Sequence, residues 1–207
     1  MSRARCQRCL RPQTHCLCKH INPCEHHHPV IILQHPSEQK HAKGTAQLAC
    51  LALNKAQIMV GETPLDFAIL KQQVLAHPER FYLIYPSSQS RAIEQVFSSI
   101  KTQEAPLNDP PCLPSLIFLD GTWRKAKRLW HLNPWLHNLE QFHFTSAPSG
   151  QYKIRKTSID KGLSTIEAIG YSLEQIEMFD PTPLVGILRA LANQQLSAMP
   201  EKVKHRY

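Results

Sequence analysis

A chain of 207 residues, 42 % of them hydrophobic, buries one substantial core plus a small appendage, and no stretch is long and apolar enough to cross a bilayer. A formal charge of +8, with 12 further histidines, leans towards an anionic partner, of which nucleic acid is the commonest, or describes a plain basic enzyme. The cationic start Met1-Ser2-Arg3-Ala4-Arg5-Cys6 has no apolar run behind it, so it does not read as a secretory leader. The expected location is the cytoplasm, where thiols stay reduced and the seven cysteines serve as ligands or buried groups.

Residues 1–28 stand apart by composition. They hold five of the seven cysteines, five Lys/Arg and almost no aliphatic side chains, so they need a staple to hold a shape. Cys6-x-x-Cys9 places two thiolates on one turn, and Cys16-x-Cys18 offers two more from a second loop. Four thiolates suit a tetrahedral zinc at about 2.3 Å, which lends folding energy to a segment that has none of its own. Such an ion is structural, because four protein ligands leave no position for water. Cys24 and His26-His27-His28 are rival ligands, and an iron–sulfur cluster or a reduced, disordered arm are the other readings. Arg3, Arg5, Arg8, Arg11 and Lys19 decorate this knuckle and suit phosphate.

From residue 29 to about 200, strands and helices alternate. The patterns predict strands at Val30–Gln34, Gln57–Val60, Phe81–Tyr85, Leu116–Leu119 and Gln141–Phe144. They predict helices at Thr45–Leu53, Leu65–Ala76, Arg91–Lys101, Trp123–Leu132, Ser164–Gln175 and Pro183–Ser197. This alternation implies an α/β fold, a mostly parallel sheet with helices on both faces. Gln103–Pro114 reads as a surface loop and Glu201–Tyr207 as a short basic tail.

The most informative stretch is Asp120-Gly121-Thr122-Trp123. It joins the apolar run Leu116–Leu119 to the basic run Arg124-Lys125-Ala126-Lys127-Arg128. In open α/β sheets, ligands collect at the carboxyl ends of strands. An acid there can meet a small molecule while the cations meet a polyanion. Taken alone, Asp120 reads as a helix cap and Trp123 as a core aromatic, but the combination favours a site. Gln34-His35-Pro36-Ser37-Glu38 and Tyr85-Pro86-Ser87-Ser88 also end strands, and each alone reads better as a turn. Leu163-Ser164-Thr165-Ile166-Glu167-Ala168 fits a capping box, and its helix N-terminus also offers N–H groups to a ligand. Lys153, Arg155, Lys156 and Lys161 precede it. Together with Arg124, Lys125, Lys127 and Arg128 they form one basic face, or else two ordinary solvated charge runs.

In order along nearly the whole chain, the four cysteines, His35-Pro36-x-Glu38, Asp120-Gly121-Thr122-Trp123 and Leu163–Ala168 resemble the DTW-domain family, the tRNA-uridine aminocarboxypropyltransferases. Gly44-Thr45 is a minor departure, standing where the resemblance leads one to expect a more polar pair before Thr. The resemblance implies a SPOUT-like domain with a C-terminal trefoil knot, a topology that periodicity never suggests. It implies an S-adenosylmethionine donor held among three loops: Tyr85, Pro86 and Ser87; Leu119 with Thr122 and Trp123; and Leu163, Ser164 and Thr165. It implies transfer of the 3-amino-3-carboxypropyl group to N3 of a tRNA uridine, in the variable loop for bacterial relatives, with methylthioadenosine released. Asp120 is then the expected base for the N3 proton, or an orienter of cofactor or base. Trp123 lines the pocket or stacks on the everted uracil. The cations, Lys153, Arg155 and Lys156 included, position tRNA by phosphate, and the protein acts as a monomer or homodimer. The rival functions are an RNA methyltransferase using the same donor, and a non-catalytic zinc-containing RNA-binding module.

Overall fold

The computed structural model describes residues 4–39, 41–98, 113–148, 150 and 162–200. Six strands, β1 (Val30–Gln34), β2 (Ala56–Val60), β3 (Phe81–Ile84), β4 (Arg91–Ala92), β5 (Ser115–Asp120) and β6 (Glu140–His143), form one sheet in the order β2-β1-β5-β3-β6-β4. Every pairing is parallel, as the alternation predicts. The late strand β5 lies in the middle, between β1 and β3, so its last residue is at the centre of the carboxyl edge.

Helices cover both faces. On one side α2 (Ala68–Ala76) and α4 (Trp123–Leu132) close a core of Ile31, Leu33, Leu83, Ile117, Leu70 and Leu129. On the other side α1 (Ala46–Ala52), α3 (Ile93–Ser98), α5 (Thr165–Glu177) and α6 (Thr182–Ser197) pack on Val30, Ile32, Ile84, Leu116 and Phe118. The period-2 alternation of each strand feeds these two cores in turn. In α5 and α6 the buried residues Ile166, Ile169, Leu173 and Leu184, Ile187, Leu188, Leu191 recur every three or four positions, one helical stripe each. At Gly170, α5 lies close to the start of α6, and a Cβ there would make ordinary contact, at 3.4 Å, with both Leu184 and Pro181.

The cysteine-rich segment packs on the α1/α6 side. Leu17 and Cys24 join that core, and Cys24 bonds the backbone of Ala52 and Asn54. Arg11 donates to the carbonyls of Ala42 and Gly44, tying the segment to the loop before α1. Expected bounds hold to within three residues, with two exceptions. Arg91–Ala92 is a short edge strand ahead of α3, and the expected helix beyond Ser98 lies outside the described residues. So do the loop at 103–112, the cations Lys153, Arg155, Lys156 and Lys161, and the tail at 201–207. No helix among the described residues is long and apolar enough to cross a membrane.

Candidate active site

Asp120 ends β5 in register with Gln34, the last residue of β1. Both are even-numbered, like Val30, Ile32, Leu116 and Phe118, so both side chains enter the α1/α5/α6 side. Asp120 is 3 % exposed. One carboxylate oxygen accepts from the Gln34 amide at 2.8 Å, and the other accepts from the Thr165 hydroxyl at the start of α5. The helix-cap reading of Asp120 thus gives way to a three-residue network across the sheet rim. Thr122, not Asp120, is the N-cap residue of α4, and Gly121 is needed because a Cβ there would lie 2.9 Å from Lys125 Cβ.

Ser164 and Glu167 form the expected capping box, with Ser164 N–H donating to the Glu167 carboxylate at 2.8 Å. The N–H of Ile166 donates to the hydroxyl of buried Thr45, so the starts of α1 and α5 meet beside Asp120. The positive ends of these helices favour a carboxylate. The negative charge is felt nearby: burial, and then Asp120, push the Cys50 thiol up to about 12.

The other expected donor-site residues spread over both sides of the sheet. Tyr85 stacks on Trp130 (5.1 Å between rings), which stacks on His137, and Leu119 joins the same α2/α4 core. Their side chains therefore point away from Asp120. Pro86 is exposed, and the Ser87 hydroxyl donates to Gln141. Leu163 lines a small cavity of about 80 Å³ between α5 and α6. Trp123 is 38 % exposed at the start of α4, so it is not a core aromatic.

The basic run of α4 divides. Lys125 pairs with buried Glu38 at 2.7 Å, and Arg128 pairs with Glu62, which also receives His35 Nε2 at 3.2 Å. These bonds tie α4 to the loops after β1 and β2. His35 Nδ1 accepts from the Ser37 N–H, so the ring caps the short turn Pro36–Glu38. Arg124 and Lys127 remain exposed, with no hydrogen bond or ion pair among the described residues.

The sulfur atoms of Cys6, Cys9, Cys16 and Cys18 lie within 4.8 Å of one another. Cys6 and Cys18 are 3.6 Å apart, and Cys9 and Cys16 are 3.8 Å apart. A tetrahedron with metal–sulfur bonds of about 2.3 Å has sulfur–sulfur edges of about 3.8 Å, so the four thiols fit a zinc ion. Backbone N–H groups of Cys9 and Arg8, and then Cys16, hold the Cys6 thiol down at about 6, whereas burial and the neighbouring thiols push the Cys18 thiol up to about 12. Three of the rivals, Cys24, His26 and His28, are engaged elsewhere. Cys24 bonds the Asn22 carbonyl, and His26 sits between the His28 carbonyl and the Lys55 N–H. His28 bonds the Pro114 carbonyl.

Reasoning from sequence did not assign Gln34, Thr45 or Glu38 to the site. The signal for Gln34 was present as the one polar residue closing an all-apolar strand, Val-Ile-Ile-Leu-Gln.

Comparison with known proteins adds three findings. Residues 3–196 match the DTW domain. The chain is 28 % identical over 201 residues to tRNA-uridine aminocarboxypropyltransferase 2 of Macaca fascicularis, and 27 % identical to that of Mus musculus. Both alignments cover 94 % of this chain and 64 % of the relative, so the chain spans a little under two thirds of their length. The Drosophila melanogaster protein of the same name is 30 % identical over 186 residues, covering 84 % of this chain and 67 % of the relative. No solved structure matches.

Proposed function

This chain belongs to the DTW-domain family, and from that premise we propose that it transfers the 3-amino-3-carboxypropyl group of S-adenosylmethionine to N3 of a tRNA uridine. The names of its relatives supply the substrate class. The observation that carries the reading within the molecule is the Thr165–Asp120 hydrogen bond. It joins the Asp-x-Thr-Trp segment to the Leu-Ser-Thr-Ile-Glu-Ala segment at the centre of the carboxyl edge.

S-adenosylmethionine bound there supplies an electrophilic carbon beside a sulfonium. The local charges fit it: a buried carboxylate favours the cation, and the α5 N-terminus favours the carboxylate of its amino-acid end. The loops at Tyr85–Ser87, Leu119–Trp123 and Leu163–Thr165, arranged as a SPOUT-type knot, form the donor pocket in this reading. N3 of the uridine takes the carbon as the carbon–sulfur bond breaks, and the electron pair leaves on sulfur in methylthioadenosine. The N3 proton must go to a base. Because both oxygens of Asp120 are engaged, its route is the Thr165 hydroxyl: Oγ takes the N3 proton and passes its own to Asp120. Trp123, exposed at the rim, offers a plate for the everted base, a contact worth about 1–3 kcal/mol. Arg124 and Lys127 meet tRNA phosphate. Cys6, Cys9, Cys16 and Cys18 hold a structural zinc.

Mass spectrometry of tRNA nucleosides after incubation with protein and S-adenosylmethionine tests this. An aminocarboxypropyl-uridine with methylthioadenosine is expected. S-adenosylhomocysteine instead identifies a methyltransferase, and no heat on titration with the donor identifies a pure RNA binder.

A further inference from the structure

The cysteine knuckle, the loop before α1 and the end of α6 enclose a cavity of about 570 Å³ beside the carboxyl ends of β1 and β2. Its walls are one-sided in charge. None of the chain's 16 acids falls in residues 1–24, 39–61 or 181–200. Those stretches supply every described wall residue except Gln34 and Glu38, and Lys125 neutralises Glu38. Arg5, Arg11, His15 and His41 line the same space. Arg11 is spent on the carbonyls of Ala42 and Gly44, whereas Arg5 gives one N–H to the Leu10 carbonyl out of the five a guanidinium carries. Among the described residues, no acid pairs with Arg5, His15 or His41. Cations gathered without acids draw an anion. Gln39, Gln47, Gln194 and Gln195 add carboxamides, which both donate and accept. A bare inorganic anion needs only the cations; the amides suit the base edge and sugar of a nucleotide.

The cavity adjoins the reaction rim at two points. Gln34 lines it and donates to Asp120 at 2.8 Å. Glu38 lines it and holds Lys125, two residues past Trp123. Resting on the transferase reading, we propose that this cavity holds the RNA strand next to the target uridine, with phosphate on its cationic walls and a flanking nucleotide against its glutamines. The target itself stays outside, at the rim with Trp123 and Thr165. Phosphate contacts fix the register of the strand, and amide contacts sense the flanking base. The cavity therefore helps to decide which uridine is presented. The metal-holding knuckle is one jaw of this clamp, and the end of α6 is the other.

The test puts one acid into the acid-free wall. Gln194→Glu is compared with Gln72→Glu, the same change at an exposed position of α2 on the other face of the sheet. Gln194→Glu is expected to weaken tRNA binding about 10-fold, with S-adenosylmethionine affinity and melting temperature unchanged. Gln72→Glu is expected to stay within about 2-fold of wild type, because solvent and salt screen a distant exposed charge. Equal losses in the two variants, or no loss in Gln194→Glu, overturn the proposal. Weaker binding of inorganic phosphate with tRNA binding unchanged marks a small-anion site and overturns it too. If Gln194→Glu does not fold, cross-linking of the wild-type protein decides. The tRNA carries 4-thiouridine on either side of the modified uridine and is irradiated in the complex. Adducts on residues 5–15, 39–47 or 194–199 support the assignment, and adducts confined elsewhere overturn it. Wild type that binds tRNA but makes no aminocarboxypropyl nucleoside defeats the transferase reading itself. An active wild type whose tRNA affinity is indifferent to Gln194→Glu defeats this inference alone.

Discussion

Along β1 and β5, the odd-numbered Ile31, Leu33, Ile117 and Leu119 face the core beneath α2 and α4, whereas even-numbered side chains enter the opposite core and finish in Gln34 and Asp120. The strands, their register and their alternation are shared. Only the last residue differs, and only on one side. The α2/α4 side keeps the closed packing of an ordinary core. The α1/α5/α6 side opens at the carboxyl edge into a polar network, a cavity and the cysteine knuckle. A sheet can hold its shape with one face while the rim of the other carries chemistry.

Four perturbations sharpen that contrast. The largest effect belongs to the knuckle. Structural zinc contributes on the order of 10–16 kcal/mol to small thiolate sites. A chelator or Cys9→Ser is therefore expected to release residues 4–28, seen as fast amide hydrogen exchange there while β5 stays protected; uniform protection after metal removal contradicts the structural ion. Next comes the rim. Asp120→Asn is expected to keep the fold but lose about 10²–10⁴ in turnover, and Thr165→Val to lose a similar factor. Full activity in either variant rejects the proton route. On the closed side, Leu83→Ala, at a fully buried position, is expected to lower unfolding stability by about 2–5 kcal/mol. Its turnover well below the melting temperature should stay at the wild-type level; a collapse of turnover there erases the distinction between the two sides. The smallest effect is electrostatic. Arg124→Ala or Lys127→Ala is expected to weaken tRNA binding mildly and reduce the slope of log affinity against log salt by about 1 each. An unchanged slope removes α4 from the tRNA contact surface.

Much of this was legible in the sequence, for physical reasons that also mark the limit. Val30–Gln34 and Trp123–Leu132 appear with the expected bounds, because an all-apolar run and a helical stripe are local patterns. The four cysteines were legible because thiolate spacing is itself the chemistry. The capping box at Ser164 and Glu167 is likewise a local code. What was hidden is what the fold brings together from afar. Nothing in Leu-Gln-His announces that Gln34 meets Asp120, since that depends on β5 inserting beside β1. Nothing in the basic run distinguishes Lys125, held by Glu38, from exposed Lys127 two positions on. Tyr85, expected to end a strand, lies one residue past β3, and its ring stacks on Trp130, on the side away from Asp120.

The two hydrogen bonds from Arg11 to the carbonyls of Ala42 and Gly44 have a reach beyond the knuckle. Gly44 adjoins Thr45, whose hydroxyl receives the N–H of Ile166, one residue past Thr165. Any coupling between metal binding at the four cysteines and the loop that opens α1 is reciprocal by thermodynamic necessity: whatever secures one would tighten the other by an equal factor. Titrating metal affinity with and without bound tRNA would read that reciprocity directly, as a coupling constant between two places that share no ligand.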